Sequence, residues 1–109
     1  MCIRDSVEAM DEAGHNGDLR MKIATIERFD KMVVGPILEH FKDRNDFRIM
    51  VLPDHATPVQ MRKHVADKVC VAMMGQGIAK NGFSVFSEAE AKKSDIHFEG
   101  YQLMEVLLR

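Results

Sequence analysis

Between residues 19 and 41, Leu19, Ile23, Ile26, Phe29, Val33, Ile37 and Phe41 recur every three or four positions. That is the period of one face of an α-helix. Asp18 is suited to cap its start, because an aspartate oxygen can accept a hydrogen bond from an orphan N–H of the first turn. Gly35-Pro36 interrupts the pattern and predicts a kink or a break. An amphipathic helix needs a surface against its apolar stripe. Residues 47–52 and 69–74 are apolar runs bounded by polar turns, with the length of buried strands. Val7 to Met10 reads as the end of a further strand, and Asp11 to Gly17 as a polar loop. Residues 56–68 read as irregular, with at most one helical turn. Ser87 to Lys93 starts like a capped helix, with Glu90 three residues after Ser87, and Glu99 to Leu108 reads as a terminal helix. The order strand, helix, strand, strand, helix, helix predicts an α/β fold with a layered sheet.

The chain has 109 residues, room for one domain. A net charge of -2 disfavours a dedicated nucleic-acid binder, which normally carries a basic excess. The longest apolar run, Val69 to Met74, is far shorter than the roughly 20 residues of a membrane-spanning helix, so no membrane partner is expected. Cys2 and Cys70 are too few for a disulfide framework and lie in no metal-type spacing. They are expected to be free thiols in a reducing, cytoplasmic setting. Residues 1–6 fit nothing that follows and resemble a translated adapter scar; a genuine disordered terminus is the alternative. The natural sequence is expected to start near Val7, inside a longer protein, so that residues 7–109 form its C-terminal part.

The chemistry lies with three histidines and two acids. Asp11 and His15 are four apart, Asp54-His55 directly follows an apolar run, and His64 comes nine residues later. Carboxylate with imidazole suits Mn, Zn, Fe or Co, with Mg possible where carboxylates dominate. In open α/β sheets ligands bind beyond the carboxyl ends of strands, and Asp11 and Asp54-His55 are both expected there. Spacing alone leaves the plainer readings open: Asp54 as a turn residue after Pro53, His64 as a surface histidine. His40 reads as solvated helix surface, and the methionines as core filling. Gly75-Gln76-Gly77 lacks the rest of a dinucleotide fingerprint.

Two blocks together carry a family resemblance. Residues Glu8 to Asp18 (EAMDEAGHNGD) and Val51 to Pro58 (VLPDHATP), the latter followed by Arg62 and His64, resemble the metal-binding blocks of the archaeal-type cofactor-independent phosphoglycerate mutases. Phe29 to Leu38 is similar to the helix between those blocks, and Glu88 to Leu108 to the family's C-terminal tail. The likeness runs from Val7 to Arg109. Met10 departs from a usual proline, Lys63 and Val65 from usual threonines, and Lys68 from a proline; none of these removes a ligand. Lys63 does put a positive charge beside His64.

The resemblance implies part of an alkaline phosphatase-like fold and a two-metal phosphotransferase site using Mn, Mg, Co or Zn. Carried over by position, Asp11, His15 and His64 would hold one divalent ion, and Asp54 with His55 the second. The reaction implied is the interconversion of 3-phosphoglycerate and 2-phosphoglycerate through a phosphoserine. The nucleophilic serine is expected outside this chain, in the N-terminal part of the parent protein. The chain alone is therefore expected to be an inactive fragment. A homoserine kinase-like phosphotransferase on the same scaffold is the alternative, because the substrate-selecting groups also lie elsewhere.

Overall fold

A computed structural model describes residues 6–109. The expected scar and Cys2 lie outside the described residues, Ser6 excepted. The chain divides into two compact units, one formed by the residues up to Lys42 with His55–Asp67, the other by Asp43–Asp54 with Lys68–Arg109.

The first unit is helical. Helix α1 spans Ala9–His15, α2 spans Leu19–Phe29, a π-helical segment covers Asp30–Val34, and α3 spans Gly35–Phe41. Over residues 9–15 the expected strand end and loop are thus corrected to a helix. Asp11 and Glu12 in its first turn carry charges of the sign that the helix dipole favours. The helix stops at Gly17, whose φ of 67° is left-handed. Gly17 N–H bonds the Gly14 carbonyl and Asp18 N–H the Ala13 carbonyl, the paired closure of a Schellman motif. Asp18 then caps α2 as expected, accepting from Met21 N–H at 2.9 Å. The two helices are therefore joined by three residues only, and α1 buries Ala13 to 2% exposure.

The interruption expected at Gly35-Pro36 takes the form of the π-helical segment just before it. Gly35 N–H reaches back five residues to the Asp30 carbonyl. Pro36 falls in the first turn of α3 and lacks the N–H that would continue the hydrogen-bond ladder from the segment before it. Beyond α3, His55–Asp67 contributes a turn in which the Met61 and Arg62 N–H groups both bond the Pro58 carbonyl, and a bridge between Ala56 and Val65.

The second unit contains strands β1 (Arg48–Val51) and β2 (Ala72–Gly75), a short α4 (Glu88–Ala91), a 3-10 turn (Gly100–Gln102) and α5 (Leu103–Leu108). The strands pair antiparallel, with Arg48 opposite Gly75 and Val51 opposite Ala72. The α/β class holds, with a small two-stranded antiparallel piece of sheet. The expectation of buried strands is corrected: β1 is half-buried throughout, and β2 alternates between exposed and half-buried. A two-stranded ladder cannot cover both of its own faces. Ser87 caps α4 by accepting from Glu90 N–H at 3.2 Å, as its sequence indicates. Glu99 and Gln102 form a capping box before α5. Apolar side chains remain exposed in both units, among them Leu19, Met32, Val85 and Tyr101. No helix among the described residues is long and apolar enough to cross a membrane.

Candidate metal centre

The four-residue spacing of Asp11 and His15 on α1 puts both side chains on one helix face. The loop of the first unit brings His55, Thr57 and His64 against that face. His64 Nε2 stands 3.1 Å from Asp11 Oδ1 and 3.0 Å from His15 Nε2. His15 Nε2 lies 3.4 Å from the same carboxylate oxygen. His55 stacks on His64 with ring centroids 3.5 Å apart. One ligand atom each from Asp11, His55 and His64 falls within a 4.8 Å span.

The close approach depends on Gly14. A Cβ there would lie 2.5 Å from the Thr57 carbonyl oxygen and 2.9 Å from its Cγ2. Thr57 is 5% exposed. Its hydroxyl donates to Asp11 Oδ1 at 2.7 Å and lies 3.0 Å from His55 Nδ1, and its carbonyl accepts from Lys22 Nζ at 2.5 Å. Donation by Thr57 is the main influence holding the Asp11 carboxyl below the usual carboxylate range. Desolvation opposes it, and the charges of His15, His64 and His55 add to it.

The donor chemistry fits a divalent cation. His15 Nδ1 lies 3.1 Å from the Arg62 carbonyl, which can only accept, so Nδ1 carries a proton, and in the neutral ring Nε2 holds the lone pair. That lone pair faces the Asp11 carboxylate, an arrangement of acceptors that needs a proton or a cation between them. Ligand atoms about 2.0–2.2 Å from one ion lie about 2.8–3.6 Å apart, from adjacent octahedral to tetrahedral positions. The triangle of Asp11, His15 and His64 has edges of 3.0–3.4 Å.

Of the five residues expected at the site, the first unit therefore gathers Asp11, His15, His55 and His64. His55 joins the same cluster as the other three rather than standing apart from them. Asp54 is exposed and belongs to the second unit, after β1. The route to convergence also differs from the expected one. Asp11 and His15 sit on a helix and not beyond a strand, so a shared sheet edge is not what gathers them. Thr57 was not singled out by sequence; a hydroxyl two residues after a histidine in an irregular segment carries no signal of its own. His40 packs edge-to-face on Phe41, away from this chemistry.

Comparison with known proteins points the same way. The chain is 39% identical over 103 residues to 2,3-bisphosphoglycerate-independent phosphoglycerate mutase 2 of Methanothermobacter thermautotrophicus, covering 94% of this chain and 25% of that protein. It is 38% identical over 104 residues to the 2,3-bisphosphoglycerate-independent phosphoglycerate mutase of Methanothrix thermoacetophila, covering 94% and 26%. It spans about a quarter of the length of these curated relatives. The solved structure of the PH0037 protein from Pyrococcus horikoshii matches with a TM-score of 0.83 at 29% identity, over 91% of this chain and 30% of that one. A family model described as Metalloenzyme superfamily matches residues 2–106, and the chain belongs to that superfamily.

Proposed function

We propose that this chain is the C-terminal metal-binding segment of a phosphoglycerate mutase that interconverts 3-phosphoglycerate and 2-phosphoglycerate through a phosphoserine. The observation that carries the reading is the convergence of Asp11, His15 and His64 on a triangle of ligand size. It is supported by the similarity of nearly the whole chain to mutases of archaea. Asp11, His15 and His64 hold one divalent ion; Asp54 and His55 contribute to a second. Two bound divalent ions supply charge neutralisation of the phosphoryl group and activation of a serine hydroxyl. The chain's own residues bind and orient: Asp11 offers a carboxylate, His15 an Nε2 lone pair fixed by the Arg62 carbonyl. The serine that accepts the phosphoryl group comes from outside this chain.

The test has two parts. Residues 7–109 with Mn added are expected to give no conversion of 3-phosphoglycerate. Sustained conversion, lost on Asp54→Ala, would show that the nucleophile is in this segment. Grafted in place of the matching quarter of the Methanothrix mutase, the same residues are expected to support conversion that Asp54→Ala and His64→Ala abolish. A folded graft with no activity, or one indifferent to both substitutions, would overturn the proposal.

A further inference from the structure

Thr57 ties the two ligand blocks together through a single hydroxyl. Its one proton goes to Asp11 Oδ1 at 2.7 Å. The 3.0 Å contact between the same oxygen and His55 Nδ1 must then be donated by the imidazole. From this geometry we infer that Thr57 is a positioning residue for the metal centre. It fixes the Asp11 carboxylate and at the same time selects the His55 tautomer with the proton on Nδ1 and the lone pair on Nε2.

Three observations converge on this role. The hydroxyl is held in place, because Thr57 is buried and its carbonyl is bonded by Lys22. It sits where Gly14 lets the backbones of α1 and the loop approach each other. The neighbouring ligand is treated alike: His15 also spends Nδ1 on a fixed oxygen, the Arg62 carbonyl. His15 thereby turns Nε2 toward Asp11 and His64. A partner that fixes the tautomer and orientation of a ligand typically changes metal affinity about 10–100-fold when removed. The inference rests on the metal-centre reading for its consequence, though not for the hydrogen bonds themselves.

The experiment uses the whole 109-residue chain, Thr57→Val, which keeps the shape and loses the hydroxyl, and Thr57→Ser, which keeps the hydroxyl. Long-range proton–nitrogen correlation spectra of the metal-free chain at pH 8, assigned with His55→Gln, report the tautomer directly. Wild type and Thr57→Ser are expected to show His55 protonated on Nδ1, and Thr57→Val to shift toward Nε2. Mn titrations followed by electron paramagnetic resonance are expected to show about 10–100-fold weaker binding for Thr57→Val, largely restored in Thr57→Ser. A wild-type His55 protonated on Nε2 overturns the inference, and needs no variant to fold. Unchanged Mn affinity in a folded Thr57→Val also overturns it. Failure of the wild type to bind Mn overturns the metal reading instead, while the tautomer still decides the hydrogen-bond assignment.

Discussion

Asp11 Oδ1 and His64 Nε2 are separated by 53 positions in sequence and by 3.1 Å in space. Neither is held by the other alone. Asp11 is fixed by α1 and by the Thr57 hydroxyl, and His64 stacks on His55. His64 is the more exposed of the pair, on a loop with little regular structure.

His64→Ala should weaken Mn binding by at least about tenfold, since one of three ligands at the triangle is removed. His40→Ala is the matched control. That histidine lies on exposed helix surface, and its loss should leave Mn affinity unchanged. Titration of both variants, with helix content followed by circular dichroism, checks this. Equal affinity in the two would remove His64 from the site.

Gly14→Ala tests the packing beneath the cluster. In an ordinary helix interior, alanine would stabilise by roughly 0.5–1 kcal/mol relative to glycine. Here the added methyl meets a backbone oxygen, which cannot swing aside as a flexible side chain can. The expected outcome is a net loss of about 1–3 kcal/mol in urea unfolding, with weaker Mn binding as the Thr57 loop is pushed off α1. A more stable protein would mean that the loop can yield without harm.

The residue types of the site were legible in the sequence, because carboxylate and imidazole together suit a divalent cation. The caps at Asp18 and Ser87 were legible too, each being a local event between a side chain and a backbone N–H within three residues. Helix α1 was not. Its glycines at 14 and 17 read as loop residues, yet one permits close packing and the other closes the helix. Burial of the strands was misjudged because apolar runs record what a strand is suited to cover, not what this chain supplies as a partner. Thr57 was invisible because its importance comes from Asp11, 46 positions away.

Cys70 is half-buried, and desolvation pushes its thiol above the ordinary value. The nearby Glu88 charge adds to the shift, and a backbone hydrogen bond to Cys70 partly offsets it. The neutral thiol is therefore favoured in the folded state. Its contribution to stability is present below the unfolded value and is lost as pH rises through the raised folded one. Iodoacetamide at pH 8 should alkylate Cys70 more slowly in native protein than in urea, read by peptide mass mapping. Equal rates would show that its surroundings impose no such penalty.

Arg48 carries the last prediction, on the second unit. Its Nε donates to the Gln76 carbonyl at 2.7 Å and its Nη1 to the Leu107 carbonyl at 3.1 Å. The first acceptor lies just beyond β2 and the second in the final turn of α5, where carbonyls have no helical partner. One side chain thus links the strand pair to the end of a helix, and it needs the fork of a guanidinium to do so. A lysine offers a single charged point and cannot span both acceptors in the same way. Arg48→Met removes both bonds and should cost about 1–3 kcal/mol in thermal or urea unfolding. Arg48→Lys should recover only part of that. Hydrogen exchange should show the effect at Leu107 and across β1 and β2, while the amides of α1 and α2 keep their protection. Full recovery in the lysine variant would mean that charge, and not the two-pronged geometry, is what Arg48 provides.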